Sequence, residues 1–173
     1  GADGWMFDGE DALGQVATMA LDNQRNLRLA IAQDAVFMTA AEQVAAEMNQ
    51  WAKGFFGRTI VDDWRRQLEF TTILFRARGL HLDDRHVLSP EGGGFSASIV
   101  DAAMYVVNNH EALKRRGQPV VLYLPKIQTA EEAALWNDIL TALEQHLDLE
   151  VGSIKVYVLV EQLEAIRRLT RLR

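Results

Sequence analysis

Short apolar runs alternate with amphipathic stretches along this chain, and the alternation predicts repeated βα units around a parallel sheet. Lys155 apart, the interiors of these runs are apolar rather than alternating, which indicates strands that are covered on both faces. The pattern therefore predicts an α/β fold with four parallel strands, namely Gly4–Asp8, Thr71–Arg76, Val120–Leu124 and Ser153–Glu161.

Capping patterns predict where two of the intervening helices begin. Thr129 and Glu132 form a capping-box pattern, in which each side chain can bind the other residue's free backbone N–H group, ahead of a clear apolar stripe. Thr39 and Glu42 repeat this pattern and predict a second helix that reaches about Ala52. Both helices fall between predicted strands, as βα units require.

Glycine positions help to place the other segments. A third long helix is predicted over Ser96–Arg116, because Gly117 supplies a stop signal. The segment Gly54–Phe70 stays ambiguous. Gly92–Gly94 is predicted to be a flexible loop, because it lacks the Lys-Ser/Thr of a phosphate-binding loop and does not directly follow a strand. No repeat or Pro/Gly/Ser-rich linker divides the chain, so a single domain is expected.

Composition narrows the classes of function. The 173 residues include no cysteine, which excludes disulfides, zinc-thiolate sites and thiol nucleophiles within them. With 18 basic and 24 acidic side chains the net charge is -6, which argues against binding to nucleic acid or to anionic membranes. No apolar run approaches the ~20 residues of a membrane span. We therefore expect a soluble, cytoplasmic protein.

Charged residues follow every predicted strand. Because the carboxyl ends of parallel strands meet at one edge of a sheet, we expect carboxylates and cations to face each other there. Carboxylate oxygens suit a hard cation such as Mg²⁺. Two other interpretations stay open, which are acids favoured by a helix dipole and purely structural ion pairs. The residues concerned are Asp8, Glu10, Arg76, Arg78, Lys126 and Glu161.

Several strings along the chain resemble, in the same order, those of malate synthases. The stretch Arg76–Val87, which reads R-A-R-G-L-H-L-D-D-R-H-V, resembles the R-P-R-G-W-H-L…K-H-V segment of that family. Together the matching strings cover nearly the whole chain. The others are F-D-G-E-D at Phe7–Asp11, N-Q-R-N-L-R at Asn23–Arg28, L-Y-L-P-K at Leu122–Lys126, A-x-L-W-N-D at Ala133–Asp138 and G-S-I-K-V-Y-V-L-V-E at Gly152–Glu161.

The resemblance implies a TIM (β/α)₈ barrel that condenses acetyl-CoA with glyoxylate to give malate and CoA, with Mg²⁺ as cofactor. It implies that Glu161 is the metal ligand and that Arg76 is the catalytic arginine facing glyoxylate and the developing enolate. The candidates for binding substrate, or for supporting the groups that do, are Asp8 and Glu10, which match the family's acidic pair, together with Arg78 and Lys126.

The resemblance also implies that parts of the enzyme are missing. The chain ends twelve residues after Glu161, whereas in the family the second metal carboxylate and the catalytic Asp base lie further along, the latter in a helical domain. Four predicted strands are half of a barrel. We therefore expect residues 1–173 to form a partial barrel domain in a fragment of a longer enzyme, without the later strands and the C-terminal helical domain. Open sheet edges would favour self-association.

Two alternative functions stay open at this stage. One is a CoA-ester lyase of the citrate lyase β-subunit type, which shares the barrel, the metal and similar acids, although the R-G-L-H-L and L-W-N-D strings favour malate synthase. The other is a non-catalytic half-barrel that binds a partner chain. Without its base, activity of these 173 residues alone is not expected.

Overall fold

The computed structural model describes residues 2–13 and 16–159. Its strands are β1 (Gly4–Asp8), β2 (Thr72–Arg76), β3 (Asp83–Leu88), β4 (Gly94–Ser96), β5 (Val121–Leu124) and β6 (Lys155–Val158). Its helices are α1 (Ala17–Ala32), α2 (Ala35–Phe56), α3 (Trp64–Phe70), α4 (Ala97–Arg115) and α5 (Ala130–His146). Among the described helices none is both long and apolar enough to cross a membrane.

Within the described residues, four strands form a parallel main sheet in the order β1-β2-β5-β6. The strands occur across the sheet in the same order as along the chain, whereas in a doubly wound sheet the strand order reverses at one point. The arrangement is therefore that of a (β/α) barrel that is not closed. The predicted α/β fold with parallel strands is confirmed. The strand β1 has the predicted bounds, and β2 and β5 each begin one residue later than predicted.

The register of the main sheet places its strand ends side by side. Asp8 is the partner of Arg76 in the β1–β2 pair, and Arg76 is the partner of Tyr123 in the β2–β5 pair. Residues at the same level of a parallel sheet point to the same face. The three side chains therefore lie in one row at the carboxyl edge of the sheet.

The opposite face of the main sheet packs against α4. Phe75 precedes Arg76 on β2, and its ring stacks on Tyr105 of α4 with 4.3 Å between the ring centroids. Phe7, its neighbour on β1, stacks on the other side at 5.4 Å. Phe75 and Tyr105 are both buried, and burial of such rings is a large apolar contribution to stability. The alternation along β2 thus places Ile73 and Phe75 on a buried face and Arg76 on the opposite, partly exposed face.

The edge strands are less covered than their apolar sequences predict. Trp5 and Met6 of β1 are 38% and 40% exposed, and Tyr157 of β6 is also exposed. In contrast, Leu122 on the inner strand β5 is fully buried. The expectation of strands covered on both faces therefore holds for β5, one of the two inner strands, and is wrong for the edge strands β1 and β6, each of which has a neighbouring strand on one side only.

The predicted start of the second helix is wrong. The helix α2 begins at Ala35, one turn before Thr39, because the carboxylate of Asp34 accepts a hydrogen bond from Val36 N at 2.9 Å and caps it there. Thr39 lies inside the helix and donates its hydroxyl hydrogen to the carbonyl of Ala35. The helix also runs past Ala52 to Phe56, into the segment that the sequence left ambiguous.

The other two predicted helices are confirmed. Thr129 and Glu132 form the expected capping box of α5, with both reciprocal hydrogen bonds at 3.1 Å. The helix α4 differs from its prediction by one residue at each end, and Gly117 follows it with a φ of 67°. The prediction of a loop over Gly92–Gly94 was incomplete. Gly92 and Gly93 lie in the connection of an antiparallel hairpin outside the main sheet, and Gly94 is the first residue of its strand β4.

Candidate functional site

The turn after β1 is built to bring acidic residues back over β2. Asp8 accepts hydrogen bonds from the backbone N–H groups of Glu10 and Asp11 at 3.0 and 3.1 Å, which is the Asx type of turn. Gly9 N donates to the carbonyl of Arg76 at 2.9 Å. A Cβ at Gly9 would lie 2.8 Å from that carbonyl oxygen, so this close approach requires glycine.

Five charged side chains meet at the carboxyl ends of β1, β2 and β5, and we call them the acid–cation cluster. Arg76 Nη1 lies 3.2 Å from Asp8 Oδ2, and Arg76 Nη2 lies 2.9 Å from Asp11 Oδ2 and contacts Glu10 Oε2. Lys126 Nζ lies 2.7 Å from Glu10 Oε1. The cluster therefore joins the loops after β1, β2 and β5 through Asp8, Glu10, Asp11, Arg76 and Lys126.

Glu10 is the most deeply placed member of the cluster. Its side chain is 3% exposed, and each of its two oxygens contacts one cation. A buried carboxylate is costly unless it is paired, so Arg76 and Lys126 together make its burial possible. The hydrogen bond to Glu10 in turn raises the pKa of Lys126 above its ordinary value. Glu10 thus holds the guanidinium of Arg76 and the ammonium of Lys126 together beside the strand ends.

Arg76 is the center of the cluster and retains one unused donor. Burial would lower its pKa, but the charges of Glu10, Asp8 and Asp11 outweigh burial, so the pKa is raised and the guanidinium stays charged. Its Cζ lies 5.7 Å from the ring centroid of Tyr123, within cation–π range. Its Nε is buried and has no acceptor among the residues that the structure describes. Buried unpaired donors are rare in folded proteins and are common at functional sites.

Lys126 reaches Glu10 from an unusual backbone conformation. It directly follows Pro125 and has a φ of 54°, in the left-handed region that residues other than glycine seldom adopt. Such residues cost of order 1–3 kcal/mol and persist where the surrounding structure holds them. The ion pair with Glu10 is the contact that holds the Lys126 side chain over the strand ends.

Arg78 does not join the acid–cation cluster. It lies two residues after Arg76, but its guanidinium points into the interior and contacts Asp101 of α4 and Asp84 of β3 at 2.7 Å each. All three side chains of this network are buried.

The structure therefore brings together four of the six sequence-predicted residues. Asp8, Glu10, Arg76 and Lys126 meet at the carboxyl edge of the main sheet, as the strand-end argument predicts. Glu161 lies outside the described residues. Asp11 and Tyr123 also contact Arg76 but were not among the predicted site residues, although both belong to strands or loops that the prediction used.

The described carboxylates do not form a metal site by themselves. Carboxylate oxygens are the ligands that Mg²⁺ prefers. However, both oxygens of Glu10 face cations, and those of Asp8 accept from Arg76 and from two backbone N–H groups. Within residues 2–13 and 16–159 no three acidic or histidine side chains are arranged to hold a metal ion. A metal at this edge would therefore need ligands from outside those residues.

A sequential parallel sheet with charged groups at its carboxyl edge defines this chain as part of a (β/α)-barrel domain. Residues 72–172 match the family model of the malate synthase TIM barrel domain. A malate synthase of Dictyostelium discoideum is 33% identical over 145 residues, which are 75% of this chain and 26% of that protein. The chain therefore belongs to the malate synthase family.

Two further relatives show how the match is distributed. Malate synthase A of Escherichia coli (strain K12) is 29% identical over 162 residues, which are 94% of this chain and 27% of that protein. A bifunctional glyoxylate cycle protein of Caenorhabditis elegans is 43% identical over 90 residues, which are 52% of this chain and 9% of that protein. The chain thus spans about a quarter or less of the length of these relatives.

Proposed function

We propose that these residues belong to an acyltransferase of the malate synthase type, which condenses acetyl-CoA with glyoxylate to give malate and CoA. The acid–cation cluster carries this proposal, because it holds Arg76 at the carboxyl edge of the sheet, where barrel enzymes place their chemistry. Family membership supplies the class of reaction. Both substrates are small molecules, and nucleic acid and membranes are not proposed as partners.

Arg76 suits this reaction because of where negative charge lies and develops. Glyoxylate has a carboxylate, and removing a proton from the acetyl methyl group of acetyl-CoA places negative charge on the thioester oxygen. A guanidinium offers several donors in a fixed plane, and residues 2–13 and 16–159 provide no acceptor for Arg76 Nε. In this proposal Arg76 binds substrate oxygens, while Asp8, Glu10 and Asp11 hold its plane in place.

Lys126 is proposed as a second cation toward the same substrates. Its Nζ has one contact to Glu10 in the described structure and its side chain is 42% exposed, so it can donate further hydrogen bonds outward. The acid–cation cluster has three carboxylates and two cations, so in this proposal a substrate anion is bound by direct hydrogen bonds from the outward-facing donors rather than by the net charge of the cluster. Arg78, whose donors contact Asp84 and Asp101, is not proposed to bind substrate directly.

We also propose that the complete enzyme uses Mg²⁺ and that Glu161 is one of its ligands, as the family resemblance implies. Such a metal ion supplies Lewis-acid polarisation of the aldehyde carbonyl of glyoxylate. Asp8 and Glu10 then lie beside the metal rather than on it, because their oxygens already accept from cations or backbone N–H groups.

The general base is proposed to lie outside these 173 residues. The acids at the strand ends are the nearest candidates, but Asp8, Glu10 and Asp11 are all held against Arg76. The matched region is about a quarter of the length of the Escherichia coli relative. We therefore propose that residues 1–173 are a partial barrel domain and that the base comes from another part of the enzyme. A cytoplasmic location and self-association through the edges of β1 and β6 are proposed as well.

The direct test is release of free CoA by the native gene product that contains this sequence. A thiol reagent follows the release with acetyl-CoA and glyoxylate present, and these 173 residues contribute no thiol of their own. We expect release that requires glyoxylate. A CoA-ester lyase would instead break a C–C bond of a 3-hydroxyacyl-CoA to give acetyl-CoA and a carbonyl compound, with the thioester intact and no free CoA released. A non-catalytic half-barrel would catalyse neither reaction. Either of those results would overturn the proposal.

A further inference from the structure

Arg78 is bound to Asp101 by three hydrogen bonds. Its backbone N–H donates to Asp101 Oδ2 at 3.0 Å, its Nε donates to the same oxygen at 2.8 Å, and its Nη2 donates to Asp101 Oδ1 at 2.7 Å. Asp101 lies in the second turn of α4, and its carbonyl accepts from Gln24 of α1 at 3.4 Å. The chain just beyond β2 is therefore fixed, through both backbone and side chain, to the helical layer.

The same guanidinium is bound to the β3–β4 hairpin. Arg78 Nη2 donates to Asp84 Oδ2 at 2.7 Å, and Asp84 Oδ1 accepts from the backbone N–H groups of His86 and Val87. Burial opposes ionisation of Asp84, but these hydrogen bonds outweigh it and lower the pKa of Asp84 to about 2. One buried cation therefore joins the exit of β2, the helix α4 and the hairpin.

The segment that Arg78 fixes forms one wall of the acid–cation cluster. It begins at Arg76 itself, whose carbonyl accepts from Gly9 N, and it continues to Gly79. A Cβ at Gly79 would lie 2.5 Å from the ring of His81 and 3.7 Å from Glu10 Oε1, so the backbone here passes close to Glu10. A shift of this segment would move Arg76 relative to Asp8 and Glu10.

We propose that Arg78, Asp84 and Asp101 form a positioning network for Arg76, which fixes the chain after β2 so that the Arg76 guanidinium faces the substrates. This inference rests on the proposed function and adds to it Asp84 and Asp101, which touch neither substrate nor Arg76. Arg78 and Asp101 act through the backbone of residues 76–79. Asp84 acts by setting the position of the hairpin against Arg78.

Charge and geometry favour positioning over a purely stabilising role. Two carboxylates share one guanidinium, so the buried network has a formal excess of negative charge, and buried ion pairs are weak sources of net stability. Their better-supported use is to specify one arrangement. The Nε and Nη2 of Arg78 form a planar, two-bond pair with Asp101 while Nη2 also contacts Asp84, and an ammonium group, which has a single nitrogen, could not reproduce the planar pair.

The test is a double-mutant cycle in the native gene product between Asp101→Asn and Arg76→Lys. We expect Asp101→Asn alone to lower kcat on the order of 10²-fold with little change in the KM for acetyl-CoA, as small misplacements of catalytic groups do. In the Arg76→Lys background, Asp101→Asn should lower kcat by less than about twofold, because the effects of substitutions at residues that act together are not additive. Equal losses in both backgrounds would overturn the proposal.

A second readout does not depend on activity. In a crystal structure of the Asp101→Asn protein we expect Arg76 Nη1 to move away from its 3.2 Å contact with Asp8 by more than about 0.5 Å, the tolerance of a catalytic arrangement. An unchanged contact would overturn the positioning role. If the unsubstituted protein releases no CoA, the proposed function fails, and this measurement still decides the positioning role.

Two further network variants and one control variant complete the design. Arg78→Lys and Asp84→Asn break the network at its other members, so the cycle and the crystal structure can be repeated if Asp101→Asn does not fold. Arg65→Lys makes the same chemical change in an exposed ion pair with Glu42, at 3.1 Å, and should leave kcat unchanged. If the kcat of Arg78→Lys equals that of Arg65→Lys, the proposal is overturned.

Discussion

Lys126 Nζ lies 2.7 Å from Glu10 Oε1, so an ion pair connects the loop after β5 to the turn after β1 across the intervening strand β2. Arg76, which ends β2, contacts the other oxygen of Glu10. A single buried carboxylate therefore sets the spacing of two cations that come from different strands. Both cations are thereby held at the carboxyl edge of the sheet, where the proposed function places the substrates.

The first prediction concerns Arg76. Replacing it with lysine keeps the charge but removes the planar fork that contacts Asp8, Glu10 and Asp11 at once. We expect Arg76→Lys in the native gene product to lower kcat with acetyl-CoA and glyoxylate on the order of 10²–10³-fold, the effect of losing a donor to developing charge. Steady-state CoA release measures it.

The matched control for Arg76→Lys is Arg65→Lys, which alters an exposed ion pair on α3. It should leave kcat within about twofold, because exposed pairs contribute little. Near-normal turnover of the Arg76 variant would show that Arg76 is only a structural cation for the three acids around it.

The fold was predictable where burial imposes a pattern. The strands β1, β2 and β5 were predicted to within one residue, because buried parallel strands are short and apolar. The helix α1 was not predicted, since it buries only Leu27 and Ile31 and so shows little periodicity. The strand β3 reads D-D-R-H-V-L and is largely exposed, so only its pairing with β4 identifies it.

The site was predictable to the same extent. The rule that parallel strands end at one edge correctly grouped Asp8, Glu10, Arg76 and Lys126. It did not predict the partners of Arg78, because beyond a strand the alternation of side chains no longer sets their direction. The direction of the Arg78 side chain is set by Asp101, which is 23 residues away on α4. No local sequence pattern connects Arg78 with Asp101.

The second prediction concerns Glu161 as a ligand of Mg²⁺. Replacing it with glutamine keeps its shape and removes its negative charge, so a metal that prefers carboxylate oxygens should bind more weakly. We expect isothermal titration of the native gene product with Mg²⁺ and glyoxylate to show at least a tenfold loss of affinity in Glu161→Gln.

Glu91→Gln, a change of the same kind at an exposed loop residue, is the control for Glu161→Gln and should leave that affinity unchanged. Equal affinities in the Glu161 variant and the unsubstituted protein would remove Glu161 from the proposed ligand set.

The third prediction is a pH dependence of stability that arises from Asp84. Its pKa of about 2 in the folded protein lies below its ordinary value of 3.8, so its stabilisation is complete above pH 3.8 and is lost as the pH falls toward 2. Such a shift corresponds to about 2 kcal/mol of unfolding free energy. The stability difference between the unsubstituted protein and Asp84→Asn should therefore shrink by about this amount between pH 6 and pH 2.

Urea unfolding at a series of pH values measures the difference in the free energy of unfolding between the unsubstituted protein and Asp84→Asn. Asp83→Asn changes the adjacent, exposed carboxylate and serves as the control, with a difference that stays small throughout. Parallel stability curves for the Asp84 variant and the unsubstituted protein would contradict the assignment of this carboxylate to a buried, ionised state.

The last prediction concerns Glu144, a buried residue of α5 that holds the turn leading into β6. Its Oε1 accepts from Ile154 N at 2.7 Å and its Oε2 from Gly152 N at 2.8 Å, while its side chain is almost fully removed from solvent. Glu144→Ala leaves both N–H groups without this acceptor, so we expect a loss of about 3 kcal/mol in the free energy of unfolding. Glu144→Gln retains one acceptor oxygen and should lose less of the free energy of unfolding.

Urea denaturation compares both Glu144 variants with Glu47→Ala, a change at an exposed helix position where a loss of about 0.5 kcal/mol or less is expected. If Glu144→Ala were no more destabilising than Glu47→Ala, the turn before β6 would not depend on this carboxylate.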